Sequence, residues 1–188
     1  MLKKNVGEFP ALGLIELDSI ARGFIVSDVM VKKAPVKLLL SEPISSGKFL
    51  VMIAGEVASV QESMKVGREA AENHLVDDLL IPQLHSQVSL TLNGRNGVGK
   101  NIEALGIVET RTVASAILAS DAALKTADVH LMDLRLGQGI GGKGYFVFSG
   151  VLTDVQAAHN GALHVIQERG TLLKSEVVTS VHEDMRDL

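Results

Sequence analysis

The chain has 188 residues, with 18 Lys+Arg against 22 Asp+Glu, a formal net charge of −4, 46% hydrophobic residues and no cysteine. That is the composition of a folded globular protein. The mild acidity argues against a nucleic-acid partner, and the missing thiols exclude disulfides, cysteine nucleophiles, zinc–cysteine sites and self-ligated iron–sulfur clusters.

The N-terminus, Met-Leu-Lys-Lys-Asn-Val-Gly-Glu, carries positive charge with no apolar stretch behind it, so no secretory signal is read there. The longest apolar run, Phe49 to Ala54, is far short of the ~20 residues of a membrane span, and a cytoplasmic protein with no membrane partner is expected. Ala11–Leu17 reads as a strand. Asp18 or Ser19 caps a helix whose apolar stripe is Ala21, Ile25 and Val29 at i, i+4, i+8, with Ile20 and Phe24 beside it; that stripe is expected to face the core. Residues 35–42 and 48–56 read as strands around a polar loop, 57–73 as a helix, and 77–81 as a short strand. Residues 89–101, rich in Gly and Asn, read as a linker. The pattern then recurs: a strand at Ala104–Glu109, a helix with the stripe Ala114, Leu118 and Ala122 beside Val113 and Ile117, strands at 128–136 and 143–151, a helix at 154–169 and a strand at 172–178.

The recurrence extends to identity. Residues 11–38 align with 104–131 at an offset of 93, with 11 of 28 positions identical, where chance gives about two. Gly47, Lys48, Gly55, Val60 and Gln61 recur as Gly142, Lys143, Gly150, Val155 and Gln156 at an offset of 95. The chain therefore divides into two homologous units, 1–92 and 93–188, each β-α-β-β-α-β. The expected fold class is α+β, with two tandem ferredoxin-like units.

Two glycine-rich segments imitate phosphate-binding loops. Gly137-Gln-Gly-Ile-Gly-Gly-Lys143-Gly144 has P-loop spacing but Gly where the magnesium-binding hydroxyl belongs, and a strand rather than a helix follows. In Gly94-Arg-Asn-Gly-Val-Gly-Lys100, Asn101 replaces the hydroxyl, and a linker is the simpler reading. The six histidines show no metal-ligand spacing and no metal site is expected; no nucleophile elbow or triad order is visible, so no catalytic residue is assigned. Glu16 and Glu109 recur within strands, and Asp28 and Asp121 within helices; a carboxylate repeated in both units points to folding or assembly. Lys32 and Lys125 recur near helix C-termini, where lysine complements the dipole, and a repeated intermolecular edge is the alternative.

The segments Ala11-Leu-Gly-Leu-Ile-Glu16, Asp28-x-x-x-Lys32-x-Ala34, Gly47-Lys48 and Gly55-x-Val57, with Ala104-Leu-Gly-Ile-Val-Glu109, Asp121-Ala-Ala-Leu-Lys125 and Gly141-Gly-Lys143, resemble bacterial microcompartment shell domains over nearly the whole chain. Ile44-Ser-Ser-Gly-Lys-Phe49, Gly139-Ile-Gly-Gly-Lys143 and Leu75-Val-Asp-Asp-Leu79 are most similar to the tandem shell proteins of propanediol-utilisation microcompartments. The resemblance implies a non-enzymatic homotrimer of two-domain chains. This pseudohexameric tile would meet other shell proteins and enclose enzymes within a cytoplasmic microcompartment. It places Ser41, Glu42, Pro43, Ile44, Ser45, Ser46 and Gly47, with Gly137, Gln138, Gly139, Ile140, Gly141 and Gly142, around a central pore for small metabolites. It puts Lys32 and Lys125 at tile edges. The propanediol type carries a pore-loop cysteine whose three copies hold an iron–sulfur cluster; Ser45 stands there in this chain, so no cofactor is expected. Many shell domains carry an arginine before the final histidine, where this chain has Gln83 and Ser180. The alternative reading of the residues is a tandem ferredoxin-like regulatory module binding a small metabolite.

Overall fold

The computed structural model describes residues 9–94 and 102–185. The N-terminal segment 1–8 and most of the Gly94–Lys100 motif lie outside the described residues. The first unit runs β1 (Ala11–Leu17), α1 (Ile20–Lys33), β2 (Lys37–Pro43), β3 (Phe49–Gly55), α2 (Val57–Ala71) and β4 (Leu75–Pro82). After α3 (Ser86–Leu92), the second unit runs β5 (Ala104–Thr110), α4 (Val113–Thr126), β6 (His130–Leu136), β7 (Gly144–Gly150), α5 (Leu152–Gln167) and β8 (Leu172–Val178). Each unit is one antiparallel sheet, ordered β2-β3-β1-β4 and β6-β7-β5-β8. This is the split βαβ order, and among the described residues no helix is long and apolar enough to cross a membrane.

Strands β1 and β3 are buried along their whole length, which explains why they read as continuous apolar runs. Ile15 and Leu17 of β1, with Phe49, Val51 and Ile53 of β3, face α1 and α2, meeting Val26, Met30, Val60 and Met64. Leu12, Leu14, Leu50 and Met52 point to the opposite face. There they share one core with Val88 and Leu92 of α3 and with Val113, Ala116 and Ile117 of α4. The two units are thus joined by an apolar seam, with α4 packed against β1 and β4. Val88 and Leu92 are also why the first residues of the expected linker are helical: they fill part of that seam.

Helix α1 does not turn its expected apolar stripe to the core. Ser19 caps it as expected, accepting from Arg22 N at 3.3 Å. Its buried residues, however, are Gly23, Val26, Ser27 and Met30, while Ile20, Phe24 and Ile25 are 42%, 60% and 53% exposed. Gly23 explains the rotation. A Cβ there would lie 2.2 Å from the Phe49 ring, so the helix rests on β3 through its glycine. In α4 Val113, Ala114 and Ile117 are buried instead, at 0%, with Leu118 and Ala122 partly buried.

Candidate functional site

The two glycine-containing loops meet within one chain. Ser41–Pro43 belong to β2, and a 3-10 turn occupies Ser45–Gly47, with Ser46 at φ 63°. The turn closes through Ile44 N donating to Lys48 O at 2.8 Å. On the other side β6 ends at Leu136 and β7 begins at Gly144, so Gly137–Gly142 is a turn between strands and offers no helix N-terminus to a phosphate. Gly139 N donates to Ser45 Oγ at 2.8 Å, and Gln138 Nε2 donates to Pro43 O at 3.1 Å. Gly137 sits at φ 82° with Ile44 packed against it; a Cβ would fall 2.6 Å from Ile44 Cδ1. That position needs glycine both for its backbone conformation and for the close approach.

Just behind the loops lies a buried charge that sequence reading did not single out beyond its repetition. Glu16, fully buried on the outer face of β1, accepts Val113 N at 2.7 Å and Ala114 N at 3.3 Å, the first amides of α4. Carboxylate at a helix N-terminus satisfies orphan donors and opposes the positive end of the dipole. Lys48 Nζ donates to Glu16 Oε1 at 2.8 Å, Arg111 O at 2.9 Å and Gly142 O at 2.9 Å. Burial pushes the Glu16 carboxyl above its ordinary pKa, opposed by Lys48 and by the two amides. The signal available in the sequence was the joint recurrence of Glu16 with Lys48 as Glu109 with Lys143.

The second copy of this arrangement is incomplete. Lys143 Nζ reaches Glu109 Oε1 at 2.5 Å, but these side chains are 50% and 35% exposed. The outer face of the second sheet is likewise open. Tyr145, Val147 and Ile107 are only partly buried, and a cavity of about 340 Å³ lies among Leu105, Met132, Asp133, Arg135, Tyr145 and Val147. The equivalent Leu50, Met52 and Leu14 of the first sheet are 0% exposed beneath α3 and α4. Each unit thus has a sheet face built to receive a helix, and only the first has received one.

The two expected edge lysines lie near the ends of α1 and α4. Lys32 Nζ is 2.6 Å from Asp28 Oδ2, both exposed. Lys125 Nζ is 2.5 Å from Asp121 Oδ2, whose other oxygen accepts His85 N at 2.8 Å in a buried setting.

Residues 11–84 and 104–181 each match the BMC domain family. The chain is 42% identical over 175 residues to the bacterial microcompartment shell protein PduT of Citrobacter freundii, covering 93% of this chain and 95% of that one. It is 34% identical over 86 residues to the bacterial microcompartment shell protein PduA of Salmonella typhimurium, a match spanning 44% of this chain and 89% of the relative. The crystal structure of a microcompartments protein from Desulfitobacterium hafniense DCB superimposes with a TM-score of 0.81 at 38% identity, covering 95% of this chain and 98% of that one.

Proposed function

The chain belongs to the BMC domain family, whose domain it carries twice, and on that premise we propose that three copies close into a ring of six units around the paired glycine loops. It is a structural shell protein of a bacterial microcompartment, not an enzyme. That role is favoured over the metabolite-binding regulatory module by what its relatives are.

The observation that carries the ring is the half-filled seam. Inside the chain, α4 of the second unit lies on the outer face of the first sheet, with Glu16 capping its first amides. The equivalent helix α1 exposes Ile20, Phe24, Ile25 and Val31. The equivalent sheet face, carrying Glu109 and Lys143, is open. Repeating the internal seam between chains sets α1 of one copy on the second sheet of the next, with Glu109 capping Ile20 N and Ala21 N. A seam between unlike faces closes into a ring when the rotation permits. Three two-unit chains then give six alternating units.

The loops Ser41–Gly47 and Gly137–Gly142 line the central opening in this arrangement. Their surface is polar, from Ser45, Ser46, Gln138 and glycines with the partly buried Glu42 beside them, and suits small polar metabolites. A hydroxyl is not a thiolate, and Ser45 Oγ is already engaged by Gly139 N, so this donor set does not fit an iron–sulfur cluster. Lys32 and Lys125 face outward from the ring, where tiles meet each other and other shell proteins. Light scattering of the purified chain tests the ring. The expected mass is about 60 kDa, three times the 20.0 kDa of one chain. A stable monomer at micromolar concentration overturns it.

A further inference from the structure

The register of the two sheets equates their edge strands. Glu16 lies opposite Asp77 of β4, and Glu109 lies opposite Lys174 of β8. The turns that precede these strands are equated by a shared hydrogen bond: Asp18 N donates to His74 O, and Arg111 N to Thr171 O. Two residues before each acceptor stand Glu72 and Arg169. In the internal seam, Arg169 Nη1 donates to Asp77 Oδ1 at 2.7 Å and to Asp78 O at 2.9 Å. Thr112 Oγ1, from the residue that caps α4, and Ser115 Oγ of α4 donate to Asp77 Oδ2 at 2.5 and 2.8 Å. A cation of the second unit is thus locked on an anion of the first.

At the equivalent positions both signs are reversed. Glu72 of the first unit stands where Arg169 does, and Lys174 of the second stands where Asp77 does. Among the described residues these side chains pair within their own unit. Arg22, the equivalent of Ser115, is 2.9 Å from Glu72, and Glu176, the equivalent of Leu79, is 2.7 Å from Lys174. Lys174 and Glu176 are 70% and 61% exposed, and Glu72 is 57% exposed. Glu176 puts a charge where the first sheet buries an apolar Leu79, on a face that this chain leaves open.

We propose that Glu72 of one copy pairs with Lys174 of the next, with Arg22 and Glu176 completing a four-charge cluster, and that the reversed polarity fixes the alternating order of units in the ring. The inference rests on the ring reading above. A first unit docked on another first unit would set Glu72 against Asp77. A second unit on another second unit would set Arg169 against Lys174. Like charges at a contact oppose association, so of these dockings only alternation sets Glu72 on Lys174 and Arg169 on Asp77, with Glu72 and Glu176 balancing Arg22 and Lys174.

The test measures trimer dissociation of the full chain by sedimentation at several concentrations and salt levels. Glu72→Lys and Lys174→Glu are both exposed substitutions. Each is expected to weaken the trimer by about tenfold or more, and less at high salt, where the repulsion is screened. The double variant Glu72→Lys with Lys174→Glu restores the opposite pairing and is expected to return within about threefold of the parent protein, a non-additivity that contact alone produces. Single variants as stable as the parent, or a double variant no better than the product of the singles, overturn the charge key while leaving the ring intact. A parent protein that is not a trimer overturns the ring itself.

Discussion

Lys48 and Lys143 are the same residue of the repeat in two environments, and their removal should separate chain stability from assembly. Lys48 is the sole cation beside the fully buried Glu16 among the described ion pairs. Lys48→Met leaves that carboxylate and two backbone oxygens without their donor, and is expected to cost about 3–5 kcal/mol at pH 7. The pH dependence has a definite sign. Burial holds the Glu16 carboxyl above its ordinary value, so the folded chain keeps this proton to higher pH than the unfolded chain. Its contribution is therefore fully present below about pH 4.5 and is lost as pH rises through the folded value. With Lys48 gone the carboxyl rises further, so Lys48→Met should recover part of its loss in acid. Urea unfolding at pH 4 and pH 7, at one chain concentration, measures this; an equal loss at both values contradicts it. Lys143→Met removes a half-exposed pair, expected to be worth under about 1 kcal/mol within the chain. Its effect should appear as easier trimer dissociation by sedimentation.

At the scale of elements, α1 and α4 are equivalent helices with opposite fates. Phe24 of α1 is 60% exposed, touching its own chain through a tilted contact with the Phe49 ring at 5.2 Å. Ile117, its counterpart in α4, is at 0% in the seam. Phe24→Asp should leave circular dichroism unchanged, cost the chain about 1 kcal/mol from the ring contact, and convert the trimer to monomer by light scattering. Ile117→Asp places an unpaired charge in the core and should prevent folding or lower the melting temperature sharply. A trimer that tolerates Phe24→Asp would remove α1 from the seam.

For the whole molecule, the prediction concerns how rings join. Lys32→Ala with Lys125→Ala removes the repeated outward cations and leaves Asp121 its bond from His85 N. The trimer should persist in solution, while flat sheets seen by electron microscopy should shrink or vanish. Alanine is the informative replacement, because an aspartate at 125 would face the buried Asp121, which already binds His85 N, and would unsettle the fold itself. Sheets that form unchanged would refute the edge role, and loss of the trimer would place these lysines within the ring.

The architecture is legible in the residues. Ala11–Leu17 and Phe49–Gly55 read as strands because strands covered on both faces are apolar throughout, and the repeat at offsets of 93 and 95 gave two units of one topology. The loops Ser41–Gly47 and Gly137–Gly142 came forward through the resemblance to shell domains, since a polar, glycine-containing turn between apolar strands has no function legible in its residues alone. The residues did not reveal which apolar stripe is core. Ile20, Phe24 and Ile25 have the same spacing as Val113, Ile117 and Leu118, and periodicity records amphipathicity without naming the surface that covers it. Packing sets the rest: α4 is covered within the chain, Gly23 turns α1 onto Phe49 and its apolar stripe outward, and Glu16 is buried while Glu109 is not. The burial of α4 and of Glu16 depends on contacts 90 and more residues apart in sequence, from Glu16 to Val113 and from Lys48 to Gly142, and the turn of α1 on a contact between different elements, Gly23 on Phe49; no local pattern encodes either.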